Sequence, residues 1–113
     1  VAAGVAVVSV APAQDVVYID ATTPKNVTLD GLPKAIVFNL TSGRTVIRMY
    51  MPGGVIVTVV GGYTIKDYWE QTINLGSPQE YVYYFNGTLA LAGPRMSFRV
   101  VTPPEKVVIQ IAR

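Results

Sequence analysis

The side chains most often used in catalysis are few and scattered in this sequence. Its 113 residues contain no histidine and no cysteine, which removes the commonest general base, the thiolate nucleophile and the usual zinc ligands. The seven acidic residues are dispersed, and the closest pair is Asp67 and Glu70. Such a pair could serve a glycosidase only if a cleft held both carboxylates across a sugar. We therefore predict a protein that is not an enzyme and needs no cofactor.

Two further patterns are weak indications of a binding site. Asp15, Asp20 and Asp30 lack the close acidic spacing of a calcium-binding loop. Gly53-Gly54 and Gly61-Gly62 lack the following helix that a phosphate-binding loop requires, and we interpret both pairs as hairpin turns. The sequence thus predicts no metal site and no phosphate-binding loop.

Glycosylation is better supported than catalysis. Three of the four asparagines begin an N-x-S/T motif, the acceptor sequence for N-linked glycan. The three acceptors are Asn26, Asn39 and Asn86. We expect Asn86, at an Asn-Gly turn, to be the most accessible of them and Asn39, between apolar neighbours, the least. This excess of acceptor motifs predicts an extracellular protein at the cell surface that carries N-linked glycan.

A cluster of aromatic residues allows two interpretations. Its members are Tyr63, Tyr68, Trp69, Tyr81, Tyr83 and Tyr84. Exposed rings could stack on sugars, which would make the chain a secreted carbohydrate-binding β-sandwich module. Tyrosine and tryptophan also bury a ring in strands while their polar group reaches a partner, and they are enriched at protein interfaces. We favour the core or interface role for this cluster.

The first fourteen residues, VAAGVAVVSVAPAQ, carry no charged side chain. A spanning helix needs about 20 apolar residues, and Pro12 interrupts this stretch, so we predict no membrane span. Residues 1–10 also resemble the apolar part of a signal peptide, with small residues at 11–13 as its cleavage site. However, valine favours strands, and a strand that is apolar on both faces belongs inside a sandwich. We predict a strand donated to a neighbouring subunit, with an internal strand of the same chain as the alternative.

Alternate residues of a donated strand face the core of the acceptor. The residues that we assign to this subunit interface are Val1, Ala3, Val5, Val7, Val8 and Val10. The larger side chains of Val5 and Val7 favour the odd-numbered set as the core-facing one, although Ser9 lies on that face. We accordingly divide the chain into a donor strand with its linker, residues 1–14, and a single β-sandwich domain, residues 15–113.

Short apolar runs and turn residues alternate through the rest of the chain. Turn signals recur every eight to twelve residues, which is typical of an antiparallel sandwich or barrel. Runs 44–51, 95–101 and 106–112 alternate apolar with polar residues and predict strands with one buried face. We expect a turn at Pro52 to Gly54, and a single helical turn over 66–71 is an alternative to a strand there.

The segment around Asn86-Gly87 carries the strongest hairpin signal of the chain, because both residues tolerate positive φ. It predicts that residues 80–85 return as a strand over 88–92. Runs 55–60 and 80–85 are apolar on both faces. Such strands need cover on both sides, which we expect from the core and from a partner or a glycan.

The composition favours protein contacts and excludes a nucleic-acid partner. Half of the residues are hydrophobic and only 14% are charged, against roughly a quarter in typical soluble domains. This low share of charged residues suggests that part of the surface meets protein. The nine basic and seven acidic residues are scattered, so the concentrated basic patch of a nucleic-acid-binding protein is missing.

Together these features resemble the subunits of extracellular filaments built by donor-strand exchange. Archaeal bundling pili and archaeal threads are the nearest, followed by the bacterial TasA and camelysin biofilm fibres. The resemblance is carried by the apolar residues 1–10, by Pro12, by the cysteine-free β domain and by the three glycosylation motifs. It implies an all-β, antiparallel, jelly-roll-like sandwich that lacks one strand and accepts the N-terminal strand of the next subunit.

The function implied by this resemblance is that of a structural subunit in an extracellular pilus-like filament for adhesion or biofilm formation. Copies of the chain would be its partners, and they would form an open helical homopolymer. A virion-attached fibre protein would show the same sequence pattern.

Overall fold

The computed structural model describes residues 7–10, 15–59, 65–91 and 93–113, which form nine β-strands and no helix. Within these ranges there is therefore no helix that could cross a membrane. The all-β prediction is confirmed. The strands are β1 (Val7–Val10), β2 (Val16–Asp20), β3 (Lys25–Leu29), β4 (Ala35–Leu40), β5 (Gly43–Val59), β6 (Ile65–Leu75), β7 (Gln79–Phe85), β8 (Arg95–Thr102) and β9 (Val107–Ala112).

Two packed sheets share the long strand β5. Residues 46–50 of β5 pair with β9, whereas residues 55–59 pair with β8. The first sheet therefore has the order β1-β3-β9-β5, and the second has the order β5-β8-β7-β4-β2. Strand β6 pairs with β5 both before and after the point at which β5 passes from the first sheet into the second.

The turn expected at Pro52 to Gly54 is wrong, because β5 continues through these residues. The pairing of β5 with β6 shifts register between Tyr50 and Val55. Gly53 has a φ of 78°, a left-handed conformation that glycine adopts without the penalty of a side chain. The glycine pair thus bends one strand from the first sheet into the second. The second pair, Gly61-Gly62, lies outside the described residues.

The sheets are mixed rather than purely antiparallel. Strand β1 runs parallel to β3, β2 to β4, and β7 to β8, and the remaining pairs are antiparallel. From β1 to β4 the chain alternates between the two sheets. Strands that are two apart in sequence are therefore neighbours in the same sheet, and both of these pairs run parallel.

The hairpin predicted after Asn86-Gly87 is also wrong. Asn86 has a φ of 58°, as the turn signal requires, but residues 88–91 form no strand and β8 pairs parallel to β7. The Tyr84 hydroxyl donates to the Leu89 carbonyl at 2.9 Å and lies 3.2 Å from the Leu91 carbonyl. The connection from β7 to β8 therefore folds back over the outer face of the second sheet.

This connection covers the outer apolar face of β7. Leu89 and Leu91 pack against a small cluster of buried side chains on the outside of the second sheet, made of Ala35, Val37, Val82 and Tyr84. The Arg95 guanidinium lies over the Tyr84 ring, 5.6 Å from its centre. The cover that we expected from a partner or a glycan is thus provided at β7 by the chain itself.

The predicted alternation is confirmed in the strands that build the core. Ile47, Met49 and Met51 of β5 are buried, whereas Tyr50 is exposed, and β8 and β9 alternate in the same way. The main core lies between the sheets and joins Ile47, Met49, Val27 and Ile109 of the first sheet to Phe38, Tyr83 and Phe98 of the second. The alternative of a helical turn over 66–71 is wrong, because β6 spans these residues.

Candidate strand-acceptor edge

Part of the predicted donor strand lies at the edge of the first sheet. Strand β1 adds in parallel to β3, whose other neighbour is β9. The pairs are Val7 with Asn26, Val8 with Val27, Ser9 with Thr28 and Val10 with Leu29. The outer edge of β3 is therefore the place where the charge-free N-terminal segment completes the sheet.

The register aligns alternate residues of β1 with different faces of this sheet. Val27 and Leu29 are 2% and 1% exposed and belong to the main core, whereas Asn26 and Thr28 are partly exposed. Val8 and Val10 are therefore the residues of β1 whose partners in β3 belong to the core.

Val7, which the sequence favoured as a core-facing residue, is paired with the partly exposed Asn26. Among the interface residues that we predicted, Val1, Ala3 and Val5 lie outside the described part of the chain.

The chain changes sheets between β1 and β2. Strand β1 is at the edge of the first sheet and β2 is at the edge of the second. Six residue-to-residue steps join Val10 to Val16, and an extended chain covers at most about 20 Å in six steps. Packed sheets are about 10 Å apart. The connection is therefore long enough to cross its own sandwich, and also long enough to reach a second molecule in contact with it.

A capped turn leads into the acceptor strand. The Asp20 carboxylate accepts hydrogen bonds from the Thr22 hydroxyl at 2.6 Å and from the Thr22 backbone N–H at 3.0 Å. Its other oxygen lies 3.6 Å from the Lys25 ammonium. The Thr22 hydrogen bonds, with a smaller contribution from Lys25, lower the pKa of Asp20. The ionised Asp20 carboxylate therefore stabilises the turn that connects β2 to β3.

The three candidate glycosylation sites differ in what their side chains do. Asn26 is partly exposed in β3, and Asn39 is exposed in β4. Asn86 is exposed, but its Nδ2 donates to the Val100 carbonyl at 3.0 Å and its Oδ1 accepts from the Val100 N–H at 2.8 Å. Nδ2 is the atom that N-linked glycan modifies. The hydrogen bonds therefore favour Asn39 over Asn86, which reverses the order expected from the sequence.

Most of the aromatic cluster belongs to the interior. Tyr83 and Tyr84 are fully buried, and Trp69 packs edge-on against Phe98 with ring centres 5.3 Å apart. Trp69 Nε1 donates to the Tyr83 hydroxyl at 3.3 Å, and that hydroxyl donates to Gln71 Oε1 at 2.7 Å. Burial raises the pKa of the Tyr83 phenol far above its ordinary value, so this donor stays protonated. Trp69 and Tyr81 are partly buried against the core, so Tyr68 is the exposed ring of the cluster within the described residues, and Tyr63 lies outside them.

Three acidic residues, Asp15, Asp20 and Glu70, make local contacts with neighbouring side chains. Glu70 accepts hydrogen bonds from the Tyr68 hydroxyl at 2.7 Å and from Arg48 Nε at 3.3 Å. The hydrogen bond from Tyr68 and, to a smaller extent, the contacts with Arg48 lower the pKa of Glu70, so its carboxylate is ionised. Asp15 lies 3.9 Å from the Lys34 ammonium. Among the described residues, no three potential metal ligands come together.

Comparison of the chain with known protein families, with curated proteins and with solved structures finds no match. The feature with the clearest physical consequence is the edge of β3 together with the apolar strand that pairs with it.

Proposed function

We propose that this chain is the structural subunit of an extracellular, pilus-like filament that polymerises by donor-strand complementation. The N-terminal segment of one subunit adds to the β3 edge of the next, so each subunit donates one strand and accepts one. Donor and acceptor are different parts of the same chain, so the contact does not close on itself. Such contacts repeat as an open helical filament.

The pairing of β1 with β3 is the observation that carries this proposal. Without β1, β3 has a row of unpaired backbone N–H and C=O groups beside the buried side chains of Val27 and Leu29. An added strand satisfies the backbone groups and covers the core at the same time. The same edge serves the strand of a neighbouring subunit, as in domain swapping, when the connection at 11–15 leads outward instead of across its own sandwich.

The burial of valines supplies much of the subunit affinity. A fully buried valine contributes roughly 1.5–3 kcal/mol, so Val8 and Val10 together contribute on the order of 5 kcal/mol before the ordering of the strand is subtracted. The backbone ladder adds hydrogen bonds and fixes the register. The absence of charge from residues 1–14 fits this role, because a charged side chain on the core-facing positions would oppose docking.

The surface chemistry supports an extracellular position for the filament. Three glycosylation motifs and a charged fraction of only 14% fit a glycoprotein that meets many copies of itself at the cell surface. In this proposal the filament serves adhesion or biofilm formation, as the resemblance to archaeal pili and threads implies.

Electron microscopy of the purified full-length protein tests the proposal. We expect filaments of uniform width at micromolar concentration. Discrete particles of monomer size under all conditions of salt and pH would contradict it.

A further inference from the structure

The outer face of the first sheet carries an exposed row of apolar side chains, which ends on β9, the strand next to β3. Tyr68, Tyr50 and Val108 are directly paired across β6, β5 and β9. Their exposed fractions are 43%, 46% and 37%. Directly paired side chains on one face start about 5 Å apart. The three residues, which we call the tyrosine strip, therefore form one continuous surface on a rigid support.

A second row, made of polar side chains, runs beside the tyrosine strip. The same three strands carry this second set of paired residues, each two positions away from a member of the tyrosine strip: Glu70, Arg48 and Gln110. Two positions along a strand correspond to about 7 Å. Arg48 Nε donates to Glu70 Oε1 at 3.3 Å, and Arg48 Nη1 donates to Gln110 Oε1 at 3.4 Å. This polar row is thus a connected network of donors and acceptors at the surface.

One hydrogen bond joins the two rows. The Tyr68 hydroxyl donates to Glu70 Oε1 at 2.7 Å. This bond to Glu70 raises the pKa of Tyr68, so the phenol stays neutral while the carboxylate is ionised. An exposed ring that is already held in one orientation loses less freedom when a ligand binds. The surface is therefore preorganised.

The charges of the polar row favour a neutral ligand. Arg48 and Glu70 balance each other, so the row offers hydrogen bonds of both kinds without a surplus of either charge. Nucleic acid would need several cations left free for phosphates. A sugar ring, by contrast, has an apolar C–H face that packs on tyrosine rings and a rim of hydroxyl groups that donate and accept. We propose that the tyrosine strip and the polar row together bind a neutral polysaccharide.

Binding of the full-length chain to immobilised laminarin, mannan and cello-oligosaccharides tests this proposal, with immobilised alginate as the acidic comparison. We expect binding to at least one of the neutral sugars and no preference for alginate. Tyr50→Ala should weaken that binding by about tenfold or more, the usual effect of removing a central aromatic contact. Tyr68→Phe keeps the ring but loses the bond to Glu70, so we expect a smaller loss.

Tyr18→Ala is the matched control, because Tyr18 is 67% exposed but belongs to β2 at the edge of the other sheet. It should leave sugar binding unchanged. Thermal unfolding of each variant checks that the fold is intact. The proposal is overturned if no neutral sugar binds, if alginate binds best, or if Tyr18→Ala weakens binding as much as Tyr50→Ala. It is also overturned if Tyr50→Ala leaves sugar binding intact and only prevents association between copies of the chain.

Discussion

The register of β1 on β3 makes a sharp prediction about two neighbouring valines. Val8 is paired with Val27 in the core, whereas Val7 is paired with the partly exposed Asn26. If this register holds between subunits, Val8→Asp introduces an acidic group at a position aligned with the core. Val7→Asp introduces the same group on the outer face and is the matched control.

The expected loss at Val8 has two parts. Removing a buried valine forfeits roughly 1.5–3 kcal/mol of burial, and a buried carboxylate without a partner adds several kcal/mol more. A total of about 4 kcal/mol or more lowers the association constant of each subunit contact by about a thousandfold. Because every contact in the filament carries the same defect, Val8→Asp should abolish assembly, whereas Val7→Asp should leave it nearly unchanged.

Pelleting by ultracentrifugation over a range of protein concentrations, checked by electron microscopy, measures this difference. The critical concentration for assembly should rise beyond the measurable range for Val8→Asp only. At pH values low enough to neutralise the introduced carboxyl, part of the assembly should return. The reasoning fails if both variants assemble like the parent chain, or if Val7→Asp is as damaging as Val8→Asp.

Three further outcomes are expected. Deletion of residues 1–10 should abolish assembly and leave a monomer that aggregates, because the β3 edge is open; size-exclusion chromatography would disprove this by showing unchanged assembly. Protein produced in a glycosylating host should exceed the bare mass of 12.2 kDa, and Asn39→Gln should remove more of the excess than Asn86→Gln. The opposite pattern would show that the Asn86 hydrogen bonds do not protect it. Asn86→Ala should lower the free energy of unfolding by about 1–3 kcal/mol, because the Val100 backbone loses two hydrogen bonds to the Asn86 side chain. A urea midpoint equal to that of the parent would contradict this.

Alternation of apolar and polar residues was sufficient to predict the strands that form the core. Strands β5, β8 and β9 each place apolar residues at every second position, and these residues are buried. By contrast, β2 and β3 were not predicted, because each has only five residues and they carry less apolar alternation. Short strands are therefore harder to detect from sequence than the longer strands of the core.

Turn signals were correct about local conformation and wrong about topology. Gly53 and Asn86 both have the positive φ that their sequence context predicts. Gly53 nevertheless lies within a strand that changes sheets, and Asn86 begins a connection to a parallel neighbour. Local sequence determines whether the backbone turns, but long-range packing determines which strand it reaches.

Only one half of the candidate site could be predicted from the sequence. The donor segment was predicted because a stretch without charged residues needs burial. The acceptor edge of β3 was not visible, because its residues include Lys25 and Asn26 and its partner is distant in sequence. Register depends on the pairing partner, which the sequence of β1 alone does not identify. The exposed Tyr50 was also missed, since only its position on the outer face of the sheet distinguishes it from the buried rings.

The most direct test of the central proposal asks whether β1 pairs with β3 of its own chain or of a neighbour. Ser9 is paired with Thr28, and the sequence contains no cysteine, so Ser9→Cys with Thr28→Cys creates a single reporter disulfide at a spacing that a bridge requires. After oxidation of assembled protein, a denaturing gel without reductant should show a ladder of covalent multimers that collapses to monomer on reduction. Ser9→Cys alone should show at most a dimer. A double variant that runs only as an internally bridged monomer would contradict donor-strand exchange.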